Sequence, residues 1–152
     1  MPTAPPTPHH TVRALAVATV VAVLTLLVLD LVWLGVVARE FYDTQMGPLK
    51  RPDVYWPAAA AFYAMYIGAV LVHAVLGSAG PLSAFGRGAG LGLVAYATYD
   101  LTNWAVLQGW PAPLVPVDIA WGVVLTGVVA LASKVAHSRV AGAAATDSQG
   151  SR

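Results

Sequence analysis

Apolar positions along this chain fall into four long blocks. Polar positions gather between the blocks, apart from three single acids inside them. Residues 1–13 hold four prolines and no apolar periodicity, so a disordered tail is expected there. From Ala14 to Ala38 the chain runs apolar for 25 residues, with Asp30 as its only charge. A membrane span needs about 20 residues at ~1.5 Å rise each. A signal-peptide core is only about 7–15 residues long, so the block reads as a span and not as a cleaved leader.

Residues 39–55 change character. Arg39, Glu40, Asp43, Lys50, Arg51 and Asp53 alternate with Phe41, Tyr42, Met46 and Leu49. The aromatic and apolar members recur at helical spacing, and Gly47-Pro48 would end a short helix. The pattern predicts an amphipathic segment lying at the membrane surface. Three further spans follow at 56–76, 88–107 and 114–132. Pro57 suits the first turn of the second span. A Gly/Ser/Pro loop joins the second span to the third, and a tight Pro-punctuated turn joins the third to the fourth. Residues 133–152 are basic, then Ala/Gly/Ser-rich, and a flexible tail is expected. Continuous apolar runs call for helices rather than an alternating barrel. Short connections make the neighbours antiparallel. The expected fold is all-α, an integral membrane four-helix up-down bundle over 14–132.

Composition narrows the function. Of 152 residues, 58% are apolar and 10% charged, with a mean hydropathy of +0.69. Soluble domains carry roughly 25% charged residues, and a soluble fold this small exposes too much surface to be so apolar. A soluble enzyme domain, a disordered regulator and a nucleic-acid binder are thereby excluded. The absence of cysteine removes disulfides and thiolate chemistry. No nucleotide loop, serine elbow or HExxH metal motif occurs, so neither a cofactor nor a metal is expected. Arg13, Arg87, Lys134, Arg139 and Arg152 lie on one side of the spans, and Arg39, Lys50 and Arg51 on the other. That bias puts both termini in the cytoplasm.

The three acids carry the candidate chemistry. Asp30 lies eight residues before the end of the first span, Asp100 seven before the end of the third, and Asp118 four after the start of the fourth. At ~1.5 Å per residue the depths are about 12, 10 and 6 Å, on one side of the membrane. An intramembrane Asp costs up to about 2.5–3.5 kcal/mol, so these must face the bundle interior, a wet cavity or one another. No Lys or Arg lies at that depth to pair with them, and at least one is expected to be protonated. On the third span, Gly92, Tyr96, Asp100 and Asn103 share one stripe, with Tyr99 beside it. Gly88 and Gly92 form a small-xxx-small pair for close helix packing. Trp33, Trp104 and Trp121 follow the acids by about one turn. An aromatic belt or packing explains such tryptophans; an aromatic wall beside carboxylates would alternatively hold a cation.

The stretches DLVWLG (30–35), REFYDTQMG (39–47), AAFYAMYIG (60–68), AYATYDLTN (95–103), GWP (109–111) and VDIAWG (117–122) resemble the domain-of-unknown-function 2177 family. The resemblance covers about 14–132 and implies a four-helix bacterial membrane protein. Asp30, Trp33, Tyr96, Tyr99, Asp100, Leu101, Thr102, Asn103, Asp118 and Trp121 match the family pattern. Val106 and Gln108 depart from it, standing where the family commonly carries Thr and Lys.

Three functions stay open. The cluster of Asp30, Trp33, Tyr96, Tyr99, Asp100, Asn103, Asp118 and Trp121 would bind or move a small cation, a proton or a lipid headgroup. It would alternatively lock helices, or a partner protein, through protonated carboxyls. A lipid-modifying enzyme using Asp100 and Asp118 is the third reading, and the lack of a strong nucleophile leans against it. The expected setting is a bacterial inner membrane. Expected partners are membrane lipid and a second copy or another protein, with no nucleic acid.

Overall fold

A computed structural model describes residues 8–150. Helix α1 spans Pro8–Val32 and continues as a π-helical turn over Trp33–Val37. Helix α2 is the short Arg39–Met46, followed by a 3-10 turn at Gly47–Leu49. Helix α3 spans Trp56–Ala69 and continues as π-helix over Val70–Leu76. Helix α4 is Pro81–Val106 and α5 is Leu114–Gly150. Among the described residues there is no strand. The all-α fold expected from the apolar pattern is therefore the one observed.

The count of apolar spans needs correction. Among the described residues, three helices are long and apolar enough to cross a membrane: Thr11–Val37, Trp56–Leu76 and Leu114–Ala143. The fourth long helix, α4, has the length, at 26 residues. Its Gly, Thr, Tyr, Asp and Asn content dilutes its apolar character. Helix ends also differ from the apolar boundaries. Helix α1 already includes residues 8–13, expected as tail; residues 1–7 lie outside the described residues. Helix α4 begins at Pro81 rather than Gly88, with proline in its first turn, where the missing N–H is no loss. Helix α5 runs well past Ala132, because alanine-rich sequence with strong helix propensity continues there.

Side-chain pairs fix the packing. Ser133 on α5 donates to the Ala18 carbonyl on α1 at 2.7 Å, while Trp121 on α5 reaches Asp30 on α1. Rising numbers on one helix meet falling numbers on the other, so α1 and α5 are antiparallel. Helix α5 packs extensively on both α1 and α4, and the π-helical end of α3 closes onto α4 and α5. Ala14, Ala18, Ala22 and Leu26 form the buried stripe of α1. Its opposite face shows Val20, Leu24, Val28 and Leu31, the last 70% exposed. Such a continuous apolar exterior suits hydrocarbon, not water.

Helices α4 and α5 approach closely because small residues face each other. A Cβ at Gly88 would lie 2.6 Å from the Thr126 carbonyl oxygen and 2.7 Å from the Ala130 Cβ. One turn on, a Cβ at Gly92 would run into the Gly122 carbonyl and lie 2.6 Å from Thr126 Oγ1. Thr126 donates to the Gly122 carbonyl at 2.6 Å, so its only proton is used. The Tyr66 hydroxyl, 2.6 Å away on α3, is therefore the donor to Thr126. That bond links α3 to α5 in the buried core.

Candidate functional site: a carboxyl cluster at one end of the bundle

All three intramembrane acids lie at the end of the bundle that carries α2. Asp30 accepts a hydrogen bond from Trp121 Nε1 at 3.2 Å. The Trp121 ring stacks on Trp33, with centroids 4.4 Å apart and planes within 6° of parallel. Trp33 Nε1 in turn donates to the Tyr42 hydroxyl at 3.4 Å, and Tyr42 donates to Asp118 Oδ1. Asp118 neighbours Asp100. Five residues on α1, α2 and α5 thus form one connected polar and aromatic path that leads to Asp100 on α4. The π-helical turn at Trp33 places that indole at the junction of the path. Such turns recur at functional sites in helices.

Asp100 is the exceptional member. Its side chain is fully buried, at 0% exposure, and neither carboxyl oxygen makes a hydrogen bond of standard length and angle, although Asp118 and Trp110 both approach it. Trp110, next to it in the α4–α5 turn, is also buried, and its Nε1 approaches the Asp100 carboxyl without closing a hydrogen bond of standard geometry. Buried polar atoms are nearly always satisfied, and each exception calls for a cause. Among the described residues no Lys, Arg or His forms an ion pair with Asp30, Asp100 or Asp118; the ion pairs are Arg39 and Lys50 with Asp43, at the surface of α2. Lys50 and Arg39 hold the Asp43 carboxyl below the usual range, with the Lys50 hydrogen bond the largest cause. Among the described residues no three acid or imidazole groups converge closely enough to share a metal ion.

The sequence-predicted residues divide into two groups. Asp30, Trp33, Asp100, Asp118 and Trp121 come together, and Tyr96 is half-buried nearby with its ring against Gly122 on α5. Tyr99 is 52% exposed and packs edge-on against Trp110, at the rim. Asn103 is half-buried and lies outside the hydrogen-bonded path. Gly88 and Gly92 lie at the α4–α5 contact and shape the cluster only by bringing those helices together.

Tyr42 and Trp110 were not among the predicted site residues. Both sit outside the apolar spans and reach inward. Phe41, Tyr42 and Met46 of α2 pack on a small core of Trp110, Leu114 and Val115. The available signal was the REFYDTQMG stretch, whose aromatic pair falls on one short amphipathic helix.

Burial, then the hydrogen bond to Asp118, push the Tyr42 phenol above its ordinary value. A phenol whose proton is held more tightly in the docked state stabilises docking fully below the free value near ~10. That contribution is lost as pH rises from there toward the docked value. Tyr42→Phe is expected to remove this alkaline sensitivity and to loosen α2 by about 1.5–3 kcal/mol, the range for a bond to a charged group. Trp fluorescence against pH, wild type beside variant, measures it. Coincident alkaline profiles would refute the assignment.

With this geometry in place, comparison with known proteins is informative on family. Residues 15–135 match the family described as Predicted membrane protein (DUF2177). The chain belongs to the DUF2177 family. The match reaches into all four long helices and covers every residue of the acidic cluster. No curated protein matches the chain, and no solved structure does.

Proposed function

We propose that this DUF2177 protein binds a cationic polar group at its carboxyl cluster. The observation that carries the reading is Asp100: a fully buried carboxyl with no hydrogen bond of standard geometry and no basic partner, approached by Trp110 and a second carboxyl. A ligand bearing positive charge and N–H or ammonium groups would satisfy what the protein leaves unsatisfied. The stacked Trp33 and Trp121 rings add a face that attracts cations. On the orientation read from the basic residues, the cluster lies toward the outer face of a bacterial inner membrane.

A second reading has its own support. Trp121–Asp30 joins α5 to α1, and Tyr42–Asp118 joins α2 to α5, as structural locks would. Those bonds account for Asp30 and Asp118, and on this reading Asp100 joins them by sharing a proton with Asp118 between α4 and α5.

Native mass spectrometry of protein extracted gently from its own membrane separates the readings. The wild type is expected to retain a small molecule or lipid bearing a cationic group. Asp100→Asn, helical and melting as a folded bundle, is expected to bind it at least about tenfold more weakly. A folded Asp100→Asn that keeps the same ligand at equal occupancy overturns the binding reading. Retention of the fold by Asp100→Asn together with unfolding of Asp100→Leu, and no ligand in any form, supports the structural one.

A further inference from the structure

A groove of about 410 Å³ runs between α1 and α3, away from α4 and α5. Val23, Leu26 and Leu27 line it from α1, and Ile67, Gly68 and Leu71 from α3. The gap has a plain cause. Helix α3 meets α1 only weakly over Trp56–Ala69, and it presents Ala64 and Gly68 where larger side chains would fill the space. A Cβ at Gly68 would meet nothing within 4 Å, the opposite of the crowding at Gly88 and Gly92. From Thr19 to Leu27 the groove covers nine residues of α1, about 12 Å from first to last.

The groove ends about one turn from Asp30. Val23, Leu26 and Leu27 stand seven, four and three residues before Asp30, on the same stripe of α1, and Tyr63 lines the end of the groove nearest the acids. Beyond Asp30 lie Trp121 and then the remaining carboxyls. An apolar channel facing the bilayer therefore joins an acidic end that has no basic partner. One kind of molecule complements both properties, a hydrocarbon chain carrying positive charge at its head.

We infer that the ligand is a membrane amphiphile, its hydrocarbon chain seated between α1 and α3 and its cationic head held at Asp30 and the cluster beyond. It enters sideways from the bilayer, past α3, without crossing the water-facing side under α2. This inference rests on the proposed function of the cluster and names the ligand class for it.

The test uses the full chain in phosphatidylcholine nanodiscs. The probe is dodecyltrimethylammonium carrying a photoactivatable diazirine at the chain end; a second probe has the same chain and a neutral glycerol head. The ammonium probe is expected to label Thr19–Leu27 and Tyr63–Leu71 in preference to other lipid-facing residues. Gly68→Phe is expected to cut that labelling roughly tenfold, and Ala64→Leu, a milder filling, to cut it less. Asp30→Asn and Asp100→Asn are expected to weaken capture of the ammonium probe while leaving capture of the glycerol probe unchanged. Helicity and melting confirm that each variant is folded.

Labelling spread evenly over α1, α3 and α5, indifferent to Gly68→Phe, overturns the groove while the head-dependence still reports on the cluster. Groove labelling that is equal for both heads and unmoved by either Asn variant overturns the cationic headgroup, and with it the binding reading of the cluster. Crosslinking of two copies through the Gly68 face, with the groove unlabelled, overturns the inference in favour of a dimer contact.

Discussion

Gly92→Leu is expected to destabilise the bundle by more than about 3 kcal/mol, at or above the upper end of ordinary overpacking. The added side chain would meet the backbone of α5 at Gly122 and the Thr126 hydroxyl, not the flexible tip of a neighbour. Backbone cannot step aside without moving the helix, so α4 and α5 must separate. Separation also exposes the Tyr66–Thr126 bond and parts Asp100 from Asp118. Gly90→Leu supplies the control: it lies on the same helix, is exposed, and has no atom within 4 Å of its Cβ. It is expected not to destabilise, and to gain up to about 1 kcal/mol of helix propensity. Unfolding by a denaturing detergent, followed by Trp fluorescence, measures both. Equal midpoints for the two variants would refute the close-packed α4–α5 contact.

The second large effect belongs to the opposite end. The π-helical end of α3 leaves carbonyls without intrahelical partners, and Gly77 follows it at φ −74° rather than in the left-handed conformation that usually satisfies them. Two cations take over. Lys134 Nζ donates to the Val75 carbonyl at 3.1 Å and to the Ser78 carbonyl at 2.8 Å, and Arg87 Nε donates to the His73 carbonyl at 2.7 Å. Positive charge is favoured at a helix C-terminus in its own right. Lys134→Met keeps the apolar stem and removes both bonds. It is expected to cost about 2–3 kcal/mol, and to speed hydrogen exchange across Val70–Leu76 while leaving α1 unchanged. Unaltered exchange there would show that the carbonyls find water instead.

The sequence made the spans legible more readily than the helix ends. Trp56–Leu76 matches its apolar block at both ends, because a charged segment precedes it and a glycine follows it. Helices α4 and α5 outrun theirs, because hydropathy marks where apolar sequence stops, and a helix need not stop there. The Gly86–Gly92 run straddles the expected start of the third span at Gly88, and its Gly88/Gly92 pair predicts close packing. It is helix in the structure because Gly88 and Gly92 gain close packing that only glycine permits. The shared depth of Asp30, Asp100 and Asp118 could be counted along the chain, since rise per residue is fixed. The roles of Tyr42 and Trp110 could not. They depend on how α2 and a turn fold back over the bundle end, and no periodicity encodes that. Asn103 shares the face of Asp100 by angle, yet lies one turn beyond it, where the connected path does not extend.

Helix α5 touches every other long helix, and it follows all of them along the chain. This order bears on how the protein is made. Asp30 and its hydrogen-bond partner Trp121 are 91 residues apart. At about 5–20 residues per second of synthesis, roughly 5–18 s separate their emergence from the ribosome. During that interval α1 carries an acid into or near the bilayer with no helix to shelter it, at a cost of up to about 2.5–3.5 kcal/mol. Asp100 waits less long for Asp118, since only a short turn divides them. Keeping the early helices beside the insertion machinery until the final one arrives would lessen that cost. A ribosome stalled before Leu114 should hold α1 in a state that is readily extracted from the membrane, whereas one stalled after α5 should not.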